Sequence, residues 1–392
     1  MGIFSGPKEK DELALVFDIG SSSVGGALFW TQKSGIPKII FSIREPIALE
    51  EELNIDRFLS LTLQSLGVVA NKFHKAGLGA PKKIFCVLSS PWYVSQTRKI
   101  RLEKNTPFTF TSKLADSLIQ KEINIFEEER LADYVRNDSK VRVIEIKSIK
   151  TILNGYTTDQ PLNQKTKEVE ITVFISISPE QILDKMANVI SQHFKHKDME
   201  FSSFVITSLA VTQSVFTDQE DFLLVDIGGE MTDISMIKKN VLRESISFPI
   251  GPNFIIRGVA SVLHCTLDEA KSLISLHKDG HMDYRTKQKL EPVISELKKY
   301  WLKKFQESLA NLSNDISMPA TIFVTVDQDL EDFFSETIQT EQFSQYTLTE
   351  SKFKVTFLNP QALHGIAFFK ENIIRDPFLI IESIYINHYL LE

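Results

Sequence analysis

Residues 13–30 read Leu-Ala-Leu-Val-Phe-Asp-Ile-Gly-Ser-Ser-Ser-Val-Gly-Gly-Ala-Leu-Phe-Trp, and residues 222–237 read Phe-Leu-Leu-Val-Asp-Ile-Gly-Gly-Glu-Met-Thr-Asp-Ile-Ser-Met-Ile. Each is an apolar run that ends in Asp-Ile-Gly, turns through small residues and resumes as a second apolar run. Strand, small-residue turn and strand make a hairpin, not the strand-turn-helix of a P-loop. The two copies begin about 208 residues apart, which marks an internal duplication. One Asp-Ile-Gly is weak, since many strands end in a polar turn; two in matching contexts are not.

Around the first copy, the pattern predicts a third strand near Lys38–Arg44, a helix over 56–76 closed by Gly77, and a buried strand at Lys83–Leu88. Around the second it predicts a strand at Val241–Phe248 and helices at Asn253–Leu263, Leu267–His277 and Arg285–Ala310. A buried strand at Thr321–Val326, a later one at Phe353–Phe357 and a closing helix at Gln361–Phe369 follow. Between the halves, strands at Val94–Leu102, Val141–Leu153 and Glu168–Ile177, a helical segment at Thr111–Phe126 and a helix at Pro179–His193 are expected.

The chemistry of such turns is anion binding. Backbone N–H groups at a tight turn of small residues can hold phosphate oxygens, and two facing turns would grip a phosphate tail from both sides. Asp18 and Asp226, at the strand ends, are placed to hold Mg²⁺ through water. Gly20, Ser21, Ser22 and Ser23 face the outer phosphate from one side. Gly228, Gly229, Thr232 and Asp233 face it from the other, with Gly251 in a third loop.

These residues resemble a known family. LVFDIGSSSVGGALF and FLLVDIGGEMTDISMI are similar to the first and second phosphate motifs of the actin/Hsp70/sugar-kinase superfamily, and within it to the bacterial FtsA and PilM group. FPIGPNFIIRGVASVL (248–263) and ALHGIAFF (362–369) resemble further segments of that group. The resemblance implies an α/β, duplicated actin-like (ribonuclease H-like) ATPase fold with a small α+β insertion domain. It implies a flexible start at 1–12, a first actin-like subdomain at 13–89 and 179–208, and an interaction module at 90–178. A second subdomain at 209–250 and 320–370, a helical nucleotide-side subdomain at 251–319 and an apolar tail at 371–392 complete the division. The implied cofactors are ATP and Mg²⁺. The implied partners are proteins of a cell-division or type IV pilus machine, with self-association left open.

The departures from the group concern the site. Gly25 stands where Lys is frequent, Glu230 where a third glycine is usual, and Met231 where Thr is common. A carboxylate beside phosphates would repel them unless it points away. Ile250-Gly251-Pro252 loses one N–H donor. On the adenosine side, Lys271 and Ile274 occupy the positions of the usual Glu and Lys with Glu269 displaced, and Val326-Asp327-Gln328 replaces a Gly-Gly turn. Ser208 and Gln213 are poorly spaced to orient an attacking water, so no catalytic residue is assigned. The reading preferred from sequence is a nucleotide-binding scaffold with at most slow ATPase activity. The alternatives are a nucleotide-free scaffold and, third, a sugar or acid kinase.

Composition narrows the rest. The 392 residues carry a net charge of −7 and no basic stripe, which argues against nucleic acid. The first ten residues have no apolar core of a signal peptide, Gly6 breaks a myristoylation pattern, and no apolar run approaches 18 residues. The expectation is a cytoplasmic protein, brought to the inner face of the membrane through a partner. The tail from Asp376 is apolar on nearly every side of a helical projection and has no Lys or Arg, so packing or partner binding is expected ahead of membrane contact. Cys86 and Cys265 read as reduced thiols. The pairs His193/His196 and His277/His281 read as solvated helix ends, not metal ligands.

Overall fold

The computed structural model describes residues 12–33, 35–133, 140–195, 199–312, 318–327, 330–339 and 353–390. The expected flexible start (but for Glu12), His196 and Gln328 lie outside them. In the first half, β1 (Leu13–Ile19), β2 (Ser23–Trp30) and β3 (Lys38–Pro46) form an antiparallel meander. Two parallel strands, β4 (Lys83–Leu88) and β9 (Met199–Ser203), extend the sheet on the other side of β1. In the second half, β10 (Phe222–Ile227), β11 (Thr232–Lys238) and β12 (Val241–Phe248) repeat the meander, and β13 (Thr321–Val326) and β14 (Lys354–Phe357) repeat the parallel pair. The strand orders β3-β2-β1-β4-β9 and β12-β11-β10-β13-β14 are therefore the same, with β15 (Phe368–Phe369) added beside β3.

The helix α1 (Ile55–Ala76) forms where the apolar spacing requires it. Asn54 caps its start by accepting from Arg57 N–H at 3.0 Å, and Gly77 ends it in the left-handed region. Its buried face presents Phe58, Leu66, Val69 and Phe73 to the first sheet; each such side chain contributes about 1.5–3 kcal/mol on burial. In the second half the corresponding crossover is enlarged to α5 (Pro252–Leu263), α6 (Leu267–Lys278) and α7 (Tyr284–Leu312), with Trp301 and Phe305 of α7 buried against the second sheet.

Between β4 and β9 the chain inserts β5 (Val94–Thr109), α2 (Ser112–Asp133), β6 (Val141–Leu153), β7 (Tyr156–Thr157) and β8 (Lys165–Pro179), followed by α3 (Glu180–Ser191). Four of these strands make a separate sheet, β5-β8-β6-β7. Ile123 and Phe126 of α2 close one face over Ile171, Val173 and Ile175. On β6, the buried Glu145 accepts from Ser202 Oγ at 2.9 Å, Ser203 Oγ at 2.6 Å and Tyr385 Oη at 3.2 Å, which bolts the inserted sheet to the first half.

Four elements were not read from sequence: β7, β9, α4 (Phe204–Val215) and α8 (Glu331–Gln339). One was misplaced. Residues 361–369 are turns leading into β15, and the closing helix is α9 (Pro377–Tyr385), continued by a π-helical turn at Ile386–Leu390. Asn359 Oδ1 accepts from the N–H groups of Gln361 and Ala362, an Asx turn that diverts the chain from a helix there. Every residue of α9 is buried, so the tail packs. It lies on α4, β1 and β2, and one core runs from the first sheet through both helices to Phe222 and Phe323 of the second. No helix among the described residues is long and apolar enough to cross a membrane.

Candidate functional site

The duplicated hairpins bring the two Asp-Ile-Gly turns to face each other, and they touch. Glu230 N–H donates to Ser21 Oγ at 3.1 Å. A Cβ at Gly228 would stand 2.9 Å from that same oxygen, and one at Gly229 would stand 2.7 Å from the Cβ of Ser22. Ser22 Oγ reaches Asp327 Oδ2 at 3.4 Å, and Ser90 Oγ donates to Asp233 Oδ1 at 2.9 Å. Gly251 packs behind the second turn, where a Cβ would come within 2.0 Å of the Gly228 carbonyl; only glycine permits that approach. Pro252 opens α5, where its missing N–H costs no helical bond. The next N–H, of Asn253, caps the Gly229 carbonyl at 3.0 Å.

Each hydroxyl and carboxylate expected to face phosphate or metal has a protein partner. Ser23 Oγ accepts from Arg44 Nη1 at 2.9 Å, and Asp18 Oδ2 accepts from Arg44 Nη2 at 2.7 Å. Arg44 is held in turn by Asp376, the N-cap of α9. Burial opposes the charge of Arg44, but the carboxylates of Asp376 and Asp18 more than offset it and hold its pKa well up. Burial pushes Asp18 upward, and Arg44 pulls it back. The neighbouring Glu382 of α9 is pushed well above the usual carboxylate range by burial and by the charge of Asp18. Thr232 faces away from the turns: its hydroxyl donates to the Ile250 carbonyl at 2.7 Å and accepts from Trp301 Nε1 at 3.2 Å. Asp233 accepts from Ser90 and Ser247, and burial raises it to about 6. Asp226 accepts from Thr325 Oγ1 at 2.9 Å; burial, then the charge of Asp233, drives it well above the ordinary value.

Glu230 does point away. Its carboxylate receives both terminal nitrogens of Arg257 at 2.7 Å and Asn253 Nδ2 at 2.7 Å, while Arg257 Nε donates to the Glu50 carbonyl at 2.8 Å. Glu269, expected displaced from a ribose position, closes a capping box with Thr266 at the start of α6.

These contacts do not fit a magnesium triphosphate. Of the donors that would meet phosphate oxygens, Glu230 N–H bonds to Ser21 of the opposite turn, Ser22 Oγ to Asp327 and Gly20 N–H to the Ser23 carbonyl of its own turn. Asp18 Oδ2 has a guanidinium where a metal shell would lie. A cavity of about 10 Å³ beside the turns, bordered by Ser21, Glu50, Glu230, Asn253 and Arg257, has room for about one water, against the roughly 300–1,000 Å³ of ordinary ligand pockets. No group of three or more His, Cys, Asp or Glu side chains among the described residues is arranged to share a metal ion.

Sequence reasoning missed Arg44, Asn253 and Arg257. A signal existed for the two arginines: a lone carboxylate in a turn of small residues needs a cation, and Gly25 removes a side chain opposite Arg44.

No protein-family model and no curated protein matches the chain. Solved structures do. A chain of a PilM–PilN type IV pilus biogenesis complex superposes with a TM-score of 0.59 at 12% identity, over 95% of this chain and 98% of that one. The chain has the duplicated actin-like fold. The ethanolamine utilization protein EutJ from Carboxydothermus hydrogenoformans aligns over 96% of this chain and 88% of its own, at 12% identity and a TM-score of 0.43. A Bacteroides thetaiotaomicron protein with an actin-like ATPase fold aligns over 93% and 98%, at 10% identity and a TM-score of 0.39.

Proposed function

We propose that this protein is an actin-like scaffold whose cleft is held shut by its own side chains, so that it positions partner proteins without a nucleotide switch. The observation that carries this reading is the hydrogen bond from Glu230 N–H to Ser21 Oγ, which joins the two turns directly. Ser21, Ser22, Gly228, Gly229 and Asp233 then hold the halves together, and Asp18, Gly20, Ser23, Asp226, Thr232 and Gly251 shape their own halves, in place of gripping ATP and Mg²⁺ as preferred from sequence. The bolted inserted sheet supports the same reading, because a presentation surface gains from a fixed orientation. The likeness to a chain of a pilus biogenesis complex favours an assembly of that type over a division machine. The protein would then sit at the inner face of the membrane through a partner.

Titration calorimetry of the full chain with ATP and magnesium is expected to give no saturable heat. Asp226→Asn is expected to leave assembly in cells intact. Saturable binding that Asp226→Asn abolishes would overturn the reading and restore the nucleotide-binding one.

A further inference from the structure

We infer that Glu230 is an internal substitute for a bound phosphate: its carboxylate fills an anion site built by Arg257 and Asn253 of α5, and that occupancy keeps the two turns in contact. This rests on the proposed reading that the native cleft takes no nucleotide.

The site has the chemistry of oxyanion recognition. A planar guanidinium donates two parallel bonds at 2.7 Å, one to each carboxylate oxygen, and an amide adds a third at 2.7 Å. Carboxylate and phosphate are recognised by this fork in the same way. The fork is aimed independently of its occupant, because Arg257 Nε is tied to the Glu50 carbonyl at 2.8 Å. Arg257 therefore keeps its direction when the carboxylate is removed, which makes the site preorganised.

The same residue closes the cleft. Glu230 reaches Ser21 through its backbone N–H while its side chain is pulled to α5, so the carboxylate fixes where that N–H points. Asn253 holds the turn at both ends, donating its N–H to the Gly229 carbonyl and its side-chain amide to Glu230. Glu230 is 6% exposed and the Arg257 side chain 19% exposed, so the bonds are little screened by solvent. Removing the glutamate side chain leaves a half-buried cation, three donors and a space continuous with the small cavity beside it. An inorganic oxyanion satisfies all of these.

The test is thermal unfolding of the full chain in increasing inorganic phosphate, with sodium chloride at matched ionic strength as control. Wild type is expected to show the same Tm in phosphate and chloride. Glu230→Gly is expected to unfold at a lower temperature, and phosphate should restore at least half of the lost Tm in a saturable way. Adding Arg257→Ala to that variant should abolish the recovery. Glu230→Gln, which keeps the shape and loses the charge, guards against a Glu230→Gly chain that does not fold; it should lose part of the Tm. A Glu230→Gln Tm equal to wild type, or a destabilised Glu230→Gly that phosphate does not restore, overturns the inference. A wild-type Tm that climbs with ATP and magnesium overturns the proposed function, and is told apart because the phosphate recovery of Glu230→Gly is read separately.

Discussion

The same sequence, Asp-Ile-Gly, ends the central strand of both sheets, yet its aspartate is accommodated in opposite ways. In the first sheet the register across three strands reads Asp18, Gly25, Arg44; in the second it reads Asp226, Asp233, Ser247. Gly25 has no side chain, and a Cβ there would lie 2.8 Å from Arg44 Nη2, so the guanidinium crosses the middle strand to reach Asp18. In the second sheet the middle position is itself an acid and the third offers only a hydroxyl. The first turn is therefore neutralised by an ion pair. The second has no cation in its row: burial pushes both acids upward, and the charge of Asp233 pushes Asp226 further. A duplicated fold can keep its geometry while the charge chemistry of its two copies diverges, because the register row, not the motif, supplies the counter-charge.

The largest effect should come from removing the cation of the first row. Arg44→Ala leaves Asp18 and Asp376 buried beside Glu382 with no counter-charge, and denaturant unfolding is expected to show a loss of about 3–5 kcal/mol. A loss below about 1 kcal/mol would dissolve the contrast between the two turns. The paired neutralisations are a direct comparison. Asp18→Asn should cost about 2 kcal/mol, since a charged hydrogen bond is lost. Asp226→Asn should change stability at pH 7 by less than about 1 kcal/mol, because burial and the charge of Asp233 already disfavour the ionised form; equal losses would contradict the asymmetry.

A pH series sharpens the second row. Half-buried Asp233 has its native value near 6 against 3.8 when unfolded, so the folded state binds the extra proton between them. Its contribution is complete below about pH 4 and is lost as pH rises through about 6, by on the order of 2 kcal/mol. Both of its hydrogen bonds end on Oδ1, which asparagine retains. Asp233→Asn should therefore flatten that limb of the stability profile, and an unchanged slope would assign it to another group. Ser21→Ala is expected to cost about 1–2 kcal/mol, since it removes the acceptor that Glu230 N–H reaches across the cleft.

Much of this was legible in the chain. Alternating apolar runs and the repeated Asp-Ile-Gly gave both meanders, and the 3.6-residue spacing gave α1, α5, α6 and α7. The counter-charges were not legible, because Arg44 is 26 residues from Asp18 and Arg257 is 27 from Glu230, and neither spacing lies on a helix or hairpin. Only the register of β2 with β3, and the placement of α5 behind the second turn, bring them together. The closing helix was misplaced for a different reason. A helix apolar on all sides carries no periodic stripe to orient it, whereas residues 361–369 show such spacing but contain Gly365 at φ +85°.

The position of α9 has a consequence for how the molecule comes into being. Arg44 and its partner Asp376 are 332 residues apart, and Gln32 exchanges hydrogen bonds with Asn387 across 355. At synthesis rates of about 5–20 residues per second, the first sheet waits tens of seconds on the ribosome before its closing helix emerges. Through that interval Asp18 and Arg44 have met neither Asp376 nor Glu382, and the face of β1 and β2 that α9 covers stands open. The half of the protein that is made first is thus the half that is finished last, and chaperone dependence should concentrate there.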